Sequence, residues 1–299
     1  MELEQLKKKY PFINAWAEGK LSEEVFIRNF KEFLKQDPQF RIDVLVQSGN
    51  VDPGVPPTEE EIDDMAKWTA FAIKYYFTTY DAFSEASRNN SLKVKTLISL
   101  IGSRKRLFEI GPGTGPLLRR LVKEGYDVKG IDYEKEMINQ MEKIAPFTRG
   151  RVEHANVLEY NFANKSYDVI FIESGVFLFT ILDSGDFFFE SLFREEDEIE
   201  ATFRKIYNAL TDKGLFLIGT QGMMSEVNFS GITFYMDRTQ KEHRVVRKIR
   251  FYKDKKLLYI SPVQVKLSMS YHKFVLFAKN MGFRNVFISN GEQWVVLEK

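Results

Sequence analysis

Between Leu107 and Glu134 the chain reads LFEIGPGTGPLLRRLVKEGYDVKGIDYE. An apolar run is followed by glycines at 111, 113 and 115, an amphipathic run, and a second apolar run that closes on Asp132. No other stretch restricts the fold as strongly. Glycine lets the backbone turn sharply and lets a ligand approach it closely. A glycine run takes its meaning from context, and here it follows a strand pattern and opens a helix pattern. Such a turn falls at the C-terminal edge of a parallel sheet, where doubly wound folds bind their ligands. An acid ending the next strand can accept hydrogen bonds from both hydroxyls of a ribose. The combination points to a cofactor that contains a nucleoside.

The surrounding pattern agrees with a sheet of this kind. Strands are predicted at Leu107–Ile110, Asp127–Ile131, Val152–Asn156, Tyr167–Ile172 and Leu215–Thr220, with amphipathic helices between them, such as Gly115–Glu124 and Asp197–Leu210. Alternation of this sort predicts a mostly parallel sheet covered by helices on both faces. The first hundred residues read as helical instead. Ser22 caps a pattern through Phe26, Phe30, Phe33 and Leu34, which Asp37-Pro38 ends. Ser48–Thr58 is a Pro- and Gly-rich loop, and Thr58 with Glu61 makes a capping box for a long helix through Trp68, Phe71, Ala72 and Tyr75. A short helix is predicted from Ser91 to Ile101. After Gly222 the rhythm becomes that of antiparallel strands with turns such as Lys253-Asp254-Lys255, then a helix over Tyr271–Met281 and strands at Asn285–Ile288 and Trp294–Leu297.

Composition removes several functions. The 299 residues include no cysteine, which excludes disulfides, thiolate catalysis and zinc–thiolate sites. The three histidines, His154, His243 and His272, are not closely spaced, so no metal site is expected. A formal net charge of +1 gives no whole-chain basic field, so nucleic acid is disfavoured as a partner. The start, MELEQLKKKYPF, is charged and lacks the apolar core of a signal peptide. The most apolar stretch, Val169–Leu182, is too short to span a bilayer and is interrupted by Glu173. A cytoplasmic protein without a membrane partner is expected.

A dinucleotide fingerprint needs a third glycine at position 116, where this chain has Pro116. That weakens an NAD reading without eliminating it. EIGPGTG followed by GIDYE resembles the first two motifs of the class I S-adenosylmethionine-dependent methyltransferases. The similarity continues through RVEHANVLEYNF, SYDVIFIESGVFLF, Ala209–Thr220 and the closing MGFRNVFISNGEQWVVLEK, and so spans Arg106 to Lys299. It implies an α/β fold with a Rossmann-like, doubly wound, mostly parallel sheet and an antiparallel terminal hairpin. Added to it would be an N-terminal helical extension (1–103) on the substrate side. The methyltransferase domain would take 104–299, with an antiparallel β flap inserted at about 225–270.

The resemblance also implies roles. Gly111, Gly113 and Gly115 would pass under the amino-acid part of S-adenosylmethionine, the product being S-adenosylhomocysteine. Glu109 would orient the loop or meet the ammonium through water, Asp132 would hold the ribose, and Tyr133 would flank the adenine. Asn156 and Val157 fall where the adenine amino group is recognised, although the family commonly has aspartate at the first of them. Glu173 and Ser174, at the mouth of the fourth strand, are the candidate catalytic, substrate-facing residues.

Each feature also has a plainer reading. Tyr75, Tyr76, Phe77 and Tyr80 are expected to pack more readily than to cap a ligand. Asp186–Phe193, DFFFESLF, reads as an insertion over the active-site mouth, either a substrate wall or filling. In HRVVRKIRFYKDKK, charge alternates with apolar residues, which predicts one solvated strand face. The acceptor expected is the nitrogen or oxygen of a small metabolite. RNA or protein as the acceptor, a nucleotide-linked oxidoreductase, and a cofactor-binding protein without catalysis stay open as alternatives, as does a homodimer.

Overall fold

The computed structural model describes residues 10–36, 58–88, 90–193, 195–241 and 243–299. The expected helix stop at Asp37-Pro38 and residues 48–57 of the expected loop lie outside that set. The chain separates into two units: Met1–Phe83, Glu226–Asp237 and Lys248–Gln264 make one, and Ser84–Ser225, Arg238–Arg247 and Val265–Lys299 make the other.

In the first unit, α1 (Pro11–Ala17) precedes α2 (Glu23–Gln36), where the hydroxyl of Ser22 accepts from the Val25 N–H at 3.4 Å. The helical spacing of Phe26, Phe30, Phe33 and Leu34 puts all four in the core of this unit, with Ile13, Trp16, Ile62 and Met65. Helix α3 (Glu59–Phe71) starts with the capping box: Glu61 N–H donates to the Thr58 hydroxyl, and Thr58 N–H donates to the Glu61 carboxylate. One π turn, Ala72–Tyr76, leads into α4 (Phe77–Arg88). The indole of Trp16 donates to the Ala70 carbonyl at 3.0 Å and so ties α1 to the end of α3. Tyr76 lies 5.1 Å from Trp68, centroid to centroid, as the packing reading of the aromatic cluster expects.

Strand β8 (Glu226–Phe229) pairs with the start of β9 (Ile232–Lys241), and the end of β10 (Arg244–Lys253) pairs with β11 (Lys256–Ile260). Asp254 and Lys255 both have positive φ, the conformation of a tight hairpin turn. The inward rings of these strands pack in the same unit: Phe71 stacks on Tyr259 at 5.3 Å and sits 4.6 Å from Phe251.

The second unit is the α/β body. Helix α5 (Asn90–Ile101) leads to β1 (Arg106–Ile110), α6 (Pro116–Lys123), β2 (Asp127–Asp132), α7 (Lys135–Ile144), β3 (Val152–His154) and β4 (Tyr167–Ile172). Then follow β5 (Phe177–Ile181), β6 (Phe187–Ser191), α8 (Glu196–Ala209), β7 (Leu210–Gly222), β12 (Gln264–Ser270), α9 (Tyr271–Asn280), β13 (Asn285–Ile288) and β14 (Trp294–Glu298). The strand order is β3-β2-β1-β4-β7-β5-β6-β12, with β14 beside β7 and β13 beside β14. Strands β1 to β4 and β7 run parallel, and the β13–β14 hairpin joins antiparallel. This is the Rossmann-like sheet that the glycine run predicts.

Alternation along the strands feeds two cores. Ile170, Ile172, Phe216 and Ile218 point toward α8 and α9, whereas Val169, Phe171, Leu215 and Leu217 point toward α5 and α6. Two expectations need correction. The strand expected over 152–156 ends at His154, which frees 155–157 as loop. Asp186–Phe193 is not an insertion over a mouth: it holds β6, which pairs antiparallel with β5. Phe177, Phe179 and Phe189 are fully buried with Phe203 and Phe274, because odd positions on both strands face the helices. Strand β5 then continues the sheet alongside Thr220–Gly222, which is why β7 runs on beyond the expected Leu215–Thr220.

Candidate active site

The loop between β1 and α6 crosses the C-terminal edge of the sheet in a conformation that needs its glycines. Gly111, Gly113 and Gly115 have φ of 70°, 60° and 73°, the left-handed region that side chains disfavour. Gly115 is the N-cap of α6, and a Cβ there would lie 2.5 Å from the Met141 sulfur. A Cβ on Gly111 would lie 3.6 Å from the Ser174 carbonyl, so this loop passes directly beside the segment that follows β4.

Asp132 ends β2 and holds the loop. Its Oδ2 accepts from the Gly113 N–H at 2.7 Å, and its Oδ1 accepts from the Glu134 N–H at 2.8 Å. A carboxylate has about four acceptor sites, so each oxygen keeps a lone pair for a ligand. Glu109, one residue before the end of β1, is 1% exposed. Its Oε2 has no hydrogen-bond partner. Burial, and then the neighbouring charges of Glu173 and Asp132, hold the Glu109 carboxyl well above its ordinary value. Burial also raises Asp132, against the pull of the Glu134 and Gly113 N–H groups. Glu134 is pushed up to about 7 by burial and by Asp132.

These raised carboxyls have a consequence for stability. A carboxyl raised in the folded state binds a proton that the unfolded chain has already released, so stability falls as pH rises from the ordinary carboxyl range through the raised one. The ligand-free protein is expected to melt higher at pH 6 than at pH 8. Glu109→Gln should raise the melting temperature at pH 8, leave it unchanged near pH 5, and flatten the slope. Parallel melting curves for variant and wild type across that range would contradict the assignment.

The other expected residues gather at the same edge. Tyr133 follows Asp132, and its carbonyl accepts from His154 Nε2 at 2.9 Å. Ala155 N–H donates to the Asp132 carbonyl at 3.0 Å, which draws the 155–157 loop to the end of β2. The Asn156 amide oxygen accepts from Leu158 N–H at 3.0 Å, so this side chain also shapes its own turn. Val157 is buried in the core below α8.

Glu173 and Ser174 leave β4 buried, at 5% and 8% exposure. Sequence reasoning missed the partner of Glu173. Lys93 of α5 places its ammonium 2.7 Å from Glu173 Oε1 and 2.7 Å from the Thr220 carbonyl, and it is 1% exposed. The Trp294 ring lies 5.6 Å from that ammonium, and its indole donates to the Lys93 carbonyl at 3.3 Å. A signal for Lys93 was present: in NSLKVKTLISLI it falls on the same stripe as Asn90, Val94, Leu97 and Ile101, all buried.

The site tests well against a nucleoside cofactor with a charged amino acid. It offers a glycine cradle, a carboxylate at the end of β2 with lone pairs to spare, and an orphaned buried carboxyl oxygen that can accept from an ammonium. Comparison with known proteins agrees. Residues 107–214 match the family described as a methyltransferase domain. A Geobacillus sp. (strain WCH70) protein, provisionally named a methyltransferase, is 31% identical over 115 residues, 38% of this chain. The match spans 41% of that curated relative's length. Among solved structures, DesVI of Streptomyces venezuelae is similar with a TM-score of 0.54 and 12% identity over 74% of this chain and 96% of its own. An S-adenosylmethionine-dependent methyltransferase of Clostridium acetobutylicum reaches 0.53 at 12% identity, over 73% and 94%. The sugar N-methyltransferase KedS8 of Streptoalloteichus sp. reaches 0.52 at 12%, over 74% and 92%. At such identities the structures show the fold. What the sequence match shows is a methyltransferase domain over residues 107–214. Among the described residues, no helix is long and apolar enough to cross a membrane.

Proposed function

We propose that this chain transfers a methyl group from S-adenosylmethionine to a nitrogen or oxygen of a small-molecule acceptor. The observation that carries the reading is the junction of loop and strand end: Gly113 N–H on Asp132, with the orphaned Glu109 oxygen beside it. When bound, the cofactor supplies a methyl group already activated on a sulfonium. The work left to the protein is alignment of the nucleophile and exclusion of water. In this reading Asp132 takes the ribose hydroxyls and Tyr133 flanks the adenine. Asn156 and Val157 meet the adenine edge, and Glu109 takes the ammonium. Glu173, held by Lys93, and Ser174 face the acceptor. A general base is required only for an acceptor that arrives protonated. The near-neutral net charge of +1 supports a small acceptor over a polyanion. The likeness to KedS8 is one of fold, so the choice of small molecule rests on the chain itself.

The test is a calorimetric titration with S-adenosylhomocysteine. Wild type is expected to bind, and Asp132→Ala to bind about a hundredfold more weakly or worse, since hydrogen bonds to a charged group are lost. Equal affinity in both proteins would remove Asp132 from the site. Absence of binding in wild type would remove the reading.

A further inference from the structure

The strand face read from sequence as solvated is not uniformly so. In HRVVRKIRFY, Arg247 shares the inward register of Val245, and it is 9% exposed. Its side chain meets a second guanidinium and a carboxylate within the α/β unit. Arg238 Nη2 lies 2.9 Å from Glu190 Oε1, and Arg247 Nη1 lies 3.6 Å from Glu190 Oε2. The Glu190 carboxylate is 1% exposed, the Arg238 side chain 6% and the Arg247 side chain 10%. Thr180 donates to Glu190 Oε1, Arg238 Nη2 donates to the Gln240 amide oxygen at 3.1 Å, and Gln240 donates to Ser268 at 3.2 Å.

The cluster does not balance. Two guanidinium charges face one carboxylate, and among the described residues no other carboxylate pairs with either. The Nε of Arg238 and the Nε of Arg247 are buried without a hydrogen-bond partner, and so is Glu190 Oε2, which meets Arg247 only as an ion pair at 3.6 Å. Burial lowers the Arg247 guanidinium from its ordinary value, and Arg238 pushes it the same way against Glu190. Buried guanidiniums with unmet donors are costly, and an oxyanion relieves that cost because its oxygens match the fork of donors.

The register ties this cluster to the methyltransferase site. Glu173 lies against Gly219 of β7. Thr220 pairs with Phe179 of β5, its neighbour Leu178 pairs with Glu190 of β6, and Glu190 pairs with Ser268 of β12. Thr180, Glu190 and Ser268 occupy the sheet face opposite the one that buries Phe179 and Phe189. Glu190 is therefore three strands from Glu173, roughly 14 Å at about 4.8 Å per strand. We propose that Arg238 and Arg247, braced by Glu190, form a binding site for an oxyanion, a carboxylate or a phosphate carried by the methyl acceptor. The assignment to the acceptor rests on the methyltransferase reading above; the anion site itself does not.

The test uses the full chain, with inorganic phosphate and acetate as separate probes against sodium chloride of equal ionic strength. Calorimetry should show saturable binding of at least one probe, and the one bound more tightly names the source. Arg247→Gln should weaken that binding about tenfold or more, the change expected from losing one charge-assisted hydrogen bond. Glu190→Gln should tighten it, because the competing carboxylate charge is gone, and this variant keeps the test open should Arg247→Gln fail to fold. No binding above the chloride control would overturn the proposal and leave a structural ion triad. So would a Glu190→Gln protein that is destabilised without any gain in anion affinity. S-adenosylhomocysteine is titrated alongside. Its binding without anion binding overturns this inference alone, whereas anion binding without it removes the acceptor assignment and the methyltransferase reading together.

Discussion

Lys93→Ala is expected to cost about 3–5 kcal/mol of folding stability, read as a fall in the urea midpoint at unchanged slope. The ammonium of Lys93 is 2.7 Å from a carboxylate that is itself almost fully enclosed. Removing the lysine strands a buried negative charge within reach of the raised Glu109 carboxyl, whose own shift already includes repulsion from Glu173. It also takes the donor from the Thr220 carbonyl. The reason for so large an effect is the uncompensated charge and not the worth of the pair, so a double variant separates the two. Lys93→Met with Glu173→Leu should recover most of the loss, because apolar groups of similar volume replace a buried pair at little net cost. A single variant within about 0.5 kcal/mol of wild type, the range of ordinary surface changes, would show that Glu173 is not held as described.

Gly219→Ala is expected to be as damaging by a different route. A Cβ on Gly219 would sit 2.1 Å from the Glu173 carbonyl oxygen and 2.8 Å from its carbon. Both are backbone atoms of segments at the centre of the sheet, which cannot rotate aside as a side chain would. Overpacking a core costs about 1–3 kcal/mol where side chains can give way, and more where they cannot. The expected result is a loss of about 3 kcal/mol or more, with little folded protein recovered. Gly222→Ala on the same strand is the control: a Cβ there meets nothing within 4 Å, and its φ is not positive. It should change stability by less than about 0.5 kcal/mol. Equal behaviour of the two variants in urea unfolding would contradict the close approach of β7 to Glu173.

How much was legible beforehand varies with the kind of feature. The Rossmann-like sheet, the glycine turn and the caps at Ser22 and Thr58 were legible because each is written in consecutive residues. Glycines at alternate positions, a Thr with a Glu three residues on, and a period of two or of 3.6 all act through the local backbone. The Phe-rich segment was misread because its run is nearly all apolar and shows no period of two. Only the pairing of β5 with β6 reveals that Phe177, Phe179 and Phe189 share one side. Arg247 is illegible in the sequence because charge alone marks the alternation there, and a buried arginine on the inward register carries the same charge as a solvated one.

By itself, then, the sequence determined the class of sheet, the place of the loop that crosses its edge, and the identity of the acids at or next to the C-terminal ends of the first, second and fourth strands. These follow from the chain's own local chemistry. Tertiary structure decided which charges meet. Lys93 reaches Glu173 across 80 residues, and Arg238 reaches Glu190 across 48. It also decided that residues 226–237 and 248–264 are grouped with the N-terminal helices while 238–247 belong to the α/β unit. The physical reason is range. A turn or a cap is decided within a few residues, but a buried ion pair exists only where long-range strand and helix packing excludes water from both partners. Spacing can mark a side chain such as Lys93 as buried, but it does not name the distant carboxylate that meets it.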